Sequence, residues 1–161
     1  MQALAQDLRR TVEAAGATLA GFSEERASTP RAPGKWSPKQ VIGHLVDSAC
    51  NNHGRFILAR GRDDLVFEGY DENAWEEAQS YQNADWQDLV ELWRLYNLHL
   101  ARVIEETPSD CAQKSRWPHS LDRIAWRTVP AGEPTTLAYL MRDYVGHLRH
   151  HVGQALARPQ S

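Results

Sequence analysis

The sequence predicts an all-α chain that folds as a four-helix bundle. Four segments of about twenty residues each gather apolar side chains on one face at ~100° per residue, and each is bounded by Pro, Gly or capping residues. The exception is an irregular segment between the third and fourth helices.

The first helix is expected over about 2–24, where Leu4, Leu8, Val12, Ala15, Leu19 and Phe22 share a stripe. The run Ser28-Thr29-Pro30-Arg31-Ala32-Pro33-Gly34 then reads as a loop. A second helix starts at Ser37-Pro38-Lys39-Gln40. Ser37 can cap it, Pro38 suits the first helical position, and Gln40 can close a capping box. Its stripe is Ile42, Leu45, Val46, Ala49, Phe56 and Ile57, and it ends near Arg60-Gly61-Arg62-Asp63. The stretch Tyr70-Asp71-Glu72-Asn73-Ala74-Trp75 is read as a short helix or turn.

The third helix, about 84–106, aligns Leu89, Leu92, Trp93, Tyr96, Leu100, Val103 and Ile104 and stops at Thr107-Pro108. Leu95 and Leu98 lie off that face, either at a partner surface or under the following loop. Residues 109–133 are irregular, with Ile124–Val129 a candidate short strand. The fourth helix, about 134–157, opens at Pro134-Thr135-Thr136 and aligns Leu137, Leu140, Met141, Tyr144, Leu148, Val152 and Ala155 before Arg158-Pro159. Connections of ten residues and more permit an order other than simple up-down-up-down.

With 161 residues and 42% hydrophobic content, one domain over 1–161 is expected. A net charge of −3 argues against nucleic acid as a partner. Cys50 and Cys111, far apart and outside any CxxC spacing, indicate neither a disulfide framework nor a thiolate zinc site. The polar N-terminus and the absence of a long apolar run argue against a signal peptide and a membrane span, so a cytoplasmic location is expected.

Among seven histidines, His147 and His151 stand at i, i+4 on the fourth helix, where both imidazoles can reach one ion. They fall at the edge of the apolar stripe beside Tyr144, whereas His150 points farther toward solvent. The plainer alternative is a pair of half-buried, hydrogen-bonded histidines. A third ligand has to come from another helix, and on the second helix His44, Asp47, Asn51 and Arg55 form a polar line. That line is either a solvated face or the wall of a cleft at one end of the bundle. His53 and His99, on or beside core stripes, are read as packing histidines.

Two stretches carry a family resemblance. The first runs from Lys35-Trp36-Ser37-Pro38 through Gly43-His44-Leu45-Val46-Asp47-Ser48 to Asn51 and Arg55-Phe56; the second is Tyr144-Val145-Gly146-His147-Leu148-Arg149-His150-His151-Val152-Gly153-Gln154. With Tyr70–Trp75 between them, they resemble the DinB-like proteins, and in particular the YfiT-like, bacillithiol S-transferase-like branch. The resemblance implies an up-down-down-up bundle, often a homodimer, and a divalent metal on His44, His147 and His151. Where that branch continues with aromatic and basic residues after the Asp-Ser pair, this chain has Ala49-Cys50 and Asn52-His53-Gly54. That difference leaves substrate and thiol open.

Three neutral imidazoles leave coordination positions for a small-molecule substrate or water, the catalytic pattern. Imidazole ligation suits zinc, nickel, iron or copper, and zinc or nickel is the metal expected. The ion would serve hydrolysis by activating water, or thiol transfer by stabilising the thiolate of a low-molecular-weight thiol. Asp47 is the candidate catalytic residue, as a base or as an orienter of a ligand imidazole, and Asn51 and Arg55 are candidates for binding substrate or thiol. A bundle that binds metal or ligand in a stress response without turnover is the alternative.

Overall fold

The computed structural model describes residues 1–157; the expected stop at Arg158-Pro159 lies outside the described residues. Eight α-helices form among them: α1 Gln2–Ala20, α2 Glu24–Ser28, α3 Pro38–Leu58, α4 Glu72–Gln79, α5 Trp86–Glu105, α6 Ser109–Gln113, α7 Leu121–Ile124 and α8 Leu137–Leu156. The four long ones, α1, α3, α5 and α8, are the bundle.

Local chemistry sets their boundaries. Ser37 and Gln40 make the reciprocal capping box at the head of α3, with Pro38 in the first turn. Asp71, Asp85 and Thr136 each accept a backbone N–H at the start of α4, α5 and α8. The first helix is shorter than the stripe suggested, because Ser23 accepts from the Arg26 amide and starts α2 as a separate turn. No strand forms at 124–129 among the described residues. The Trp126 and Arg127 amides, which a strand would have paired, donate instead to the two oxygens of Asp143 on α8, at 2.9 and 2.8 Å.

Pairs of residues fix the direction of each helix. Arg9 meets Glu105 at 2.5 Å and the Trp86 indole donates to the Leu19 carbonyl at 2.9 Å, so α1 and α5 are antiparallel. His53 packs on Tyr96 and Arg60 donates to the Val103 carbonyl at 2.6 Å, so α3 and α5 run parallel. His44 lies by His151, and Phe56 by Tyr144, making α3 and α8 antiparallel. The order is therefore up, down, down, up.

A parallel α3–α5 pair obliges the chain to return the length of α3, ~31 Å for 21 residues, before α5 can begin. The crossover 59–85 makes that return and lays α4 beside the first half of α3. The core joins all four long helices through side chains such as Leu8, Leu45, Phe56, Trp93, Leu100, Ile104 and Leu148. Burial of each aliphatic side chain contributes about 1.5–3 kcal/mol.

The helical wheels misplaced several positions. Ile57 and Leu92, assigned to core stripes, are exposed, as is Leu95, whereas Leu98 packs against the core. Asn97 takes a buried place on α5 instead, accepting from the Tyr144 hydroxyl across the bundle at 2.5 Å. His53 is half-buried against Tyr96 and His99, and His99 itself is exposed. No helix among the described residues is long and apolar enough to cross a membrane.

Candidate metal centre

The antiparallel packing of α3 on α8 brings His44 opposite the His147–His151 pair. One ring nitrogen from each of the three lies within 4.8 Å of the other two. The Nε2 atoms of His44 and His147 are 3.3 Å apart, close to the ~3.3 Å that two metal–nitrogen bonds of ~2.0–2.1 Å subtend at a tetrahedral angle. His44 is buried, 2% exposed, with Trp36 tilted against its ring. His147 and His151 are half-buried, and His150 is exposed and packs on Trp126.

Burial keeps these rings neutral, the form that ligates. It lowers the His44 pKa to about 4, with His151 adding repulsion. Burial and the neighbouring imidazoles lower that of His147 to about 3, and burial lowers that of His151.

Behind each ring stands a protein oxygen facing Nδ1. Gln154 Oε1 is 2.9 Å from that of His151, Ser48 Oγ is 3.5 Å from that of His147, and Glu72 Oε2 is 3.8 Å from that of His44. Such partners fix which nitrogen faces an ion. The His44 Nδ1 is buried with no hydrogen bond, leaving Glu72, in the first turn of α4, the nearest acid. Sequence reasoning passed over Glu72, because only the crossover brings it back to α3.

Asp47 is turned away from the three histidines. Its Oδ1 accepts from the Tyr81 hydroxyl at 2.6 Å and from the Gln79 amide at 2.7 Å. Ser80 between them adopts φ 51°, a left-handed turn that ends α4 and lets both neighbours reach one carboxylate. The Tyr81 ring lies flat on Gly43, where an added Cβ would stand 2.2 Å from it. Asp47 thereby anchors the end of α4 whose other end carries Glu72. Its carboxyl pKa is raised by burial. Asn51 is half-buried and donates to the Asp47 carbonyl at 2.9 Å.

The three histidines open into a cleft of about 460 Å³, a volume in the range of small-molecule sites. Arg55, Ser48, Tyr70, Trp126 and Tyr144 line it; Asp47 and Asn51 do not. Trp126 forms a wall, held there by the Asp143 contacts and by close approach to Gly146, whose added Cβ would meet the indole at 3.1 Å.

Residues 3–155 match the DinB superfamily. The chain belongs to that superfamily. DinB relatives include one from Bacillus subtilis named "Putative metal-dependent hydrolase YfiT", 28% identical over 138 residues, covering 81% of this chain and 68% of that protein. A Bacillus licheniformis relative described in the same words is 26% identical over 152 residues, covering 94% of this chain and 80% of its own. The solved structure of Bacillus subtilis YfiT has what its authors term an unusual four-helix bundle topology. It superposes with a TM-score of 0.72 at 23% identity, over 94% of this chain and 83% of that one, and so supports the shared fold.

Proposed function

We propose that this DinB protein is a divalent-metal-dependent enzyme acting on a small molecule, as a hydrolase or a thiol S-transferase, with His44, His147 and His151 as metal ligands. The observation that carries the reading is the convergence of three neutral imidazole nitrogens from two helices, within 4.8 Å, at the end of an open cleft. The names of the Bacillus relatives point to hydrolysis. Thiol transfer, with a low-molecular-weight thiol as second substrate, rests on the sequence resemblance.

Zinc or nickel would supply Lewis-acid chemistry to a group bound beside it. The chain's own residues do the rest. Gln154 and Ser48 set the ring orientations of His151 and His147, Glu72 stands beside His44, Trp126 and Tyr144 shape the cleft, and Arg55 faces the substrate. Asp47 serves as a positioning residue through Tyr81 and Gln79, with Asn51 bound to its carbonyl. We take the active form to be a cytoplasmic homodimer.

The test is turnover of a panel of ester, amide and thiol-plus-electrophile substrates by zinc- and nickel-loaded protein. Activity that a chelator abolishes, that metal restores and that His147→Ala lacks is expected. Turnover that survives both chelation and His147→Ala contradicts the reading.

A further inference from the structure

Arg55 is buried, only 7% exposed, yet no carboxylate lies within 4.0 Å of it among the described residues. Its one hydrogen bond to the protein runs from Nη2 to the Glu68 carbonyl, at 2.7 Å. Buried cations are ordinarily paired or saturated with hydrogen bonds, because an uncompensated charge loses its hydration without return.

The other buried cations among the described residues, Lys39 and Arg116, are better compensated, although Arg116 Nη1 has no partner. Lys39 is paired with Glu24 and also donates to the Ala84 carbonyl at 2.6 Å. Arg116 donates to three carbonyls, those of Arg62, Ala59 and Cys111. Arg55 has neither an ion pair nor a carbonyl cage, and it lines the same cleft as the histidines.

The acids of the cleft do not serve it. Both oxygens of Asp143 accept the Trp126 and Arg127 amides, and Glu72 stands beside His44. Tyr70, the phenol that faces Arg55, is held protonated by burial, so it adds no negative charge there.

We infer that Arg55 is the counter-ion site for an anionic group, a carboxylate or a phosphate, on the small molecule that the cleft binds. This rests on reading the cleft as the substrate site. His44, Ser48, Asn52 and Arg55 follow one another along a single face of α3. Eleven residues at 1.5 Å each separate the His44 and Arg55 backbones, ~16 Å along the axis, and the Arg55 side chain, leaning toward the helix N-terminus, reaches back along that face. The substrate class is thus a monoanion or dianion rather than a neutral compound. A guanidinium fork, unlike an ammonium, can hold both oxygens of such a group at once.

The experiment is calorimetric titration of inorganic phosphate and, separately, acetate, at low ionic strength, into chelator-treated wild type, Arg55→Gln and Arg55→Lys, with uptake of zinc and nickel measured separately on each. Saturable binding of at least one anion is expected in wild type. It should weaken at least ~10-fold in Arg55→Gln and by less in Arg55→Lys. Preference for phosphate or acetate separates the two anion classes. Should Arg55→Gln fail to fold, Arg55→Lys decides, since loss of the fork weakens binding while its charge preserves the site.

Binding that is absent in wild type, or as strong as wild type in both Arg55 variants, overturns the inference. Anion binding by wild-type protein that takes up no zinc or nickel would defeat the metalloenzyme reading and leave this one standing. Metal binding without anion binding would do the reverse.

Discussion

The Nε2 atoms of His44 and His147 stand 3.3 Å apart although 103 positions of sequence separate the two residues. A buried and a half-buried imidazole at that distance repel whenever both are protonated, so the fold holds them neutral and aimed at a common point.

That arrangement gives metal-free protein a definite pH dependence. His44 titrates near 6.5 in the unfolded chain and at about 4 in the folded one, and His147 at about 3. Between those values the unfolded chain binds more protons than the folded chain. The stabilisation is therefore whole above pH 6.5 and is lost as pH falls through the window. Urea midpoints in the presence of chelator should drop from pH 7 to pH 4, and the drop should flatten in a His44→Gln/His147→Gln double variant. A midpoint that rises on acidification, or a double variant with the wild-type slope, contradicts the account.

Glu72→Gln removes the acid nearest His44 Nδ1. Loss of an outer partner of this kind costs about 10–100-fold in metal affinity, which a competition titration against a chromophoric chelator would read. The urea midpoint of the metal-free variant should stay near wild type, since Glu72 is half-exposed on a short helix. An unchanged metal affinity would remove Glu72 from the site.

Gly43→Ala places a Cβ 2.2 Å from the Tyr81 ring and forces the 79–81 turn off α3. Overpacking of this kind costs about 1–3 kcal/mol. Tyr81→Phe, which takes one donor from buried Asp47, costs about 1–3 kcal/mol by leaving its carboxylate less satisfied. Chemical denaturation measures both, and a wild-type midpoint in either variant would show that the Asp47 anchor is slack.

The long helices and their caps were legible because they rest on local chemistry. The Ser37–Gln40 box and the Asp85 and Thr136 caps form within four residues of chain. His147 and His151 were legible for the same reason, as neighbours on one turn. Their convergence with His44 came from the family resemblance, since no periodicity on α3 distinguishes His44 from Asp47. What separates those two is the crossover: α4 and Tyr81 cover Asp47 and leave His44 facing α8. Glu72, the buried Asn97–Tyr144 bond and the Trp126 wall depend on which helix lies opposite which, so no single segment announces them.

The central claim is tested most directly by elemental analysis of protein purified without a histidine tag, comparing wild type with His147→Ala. About one equivalent of transition metal in wild type, lost in the variant while the helical fold persists, is the predicted result. Wild-type protein that stays metal-free after incubation with zinc or nickel, or a variant that keeps its full equivalent, would contradict it.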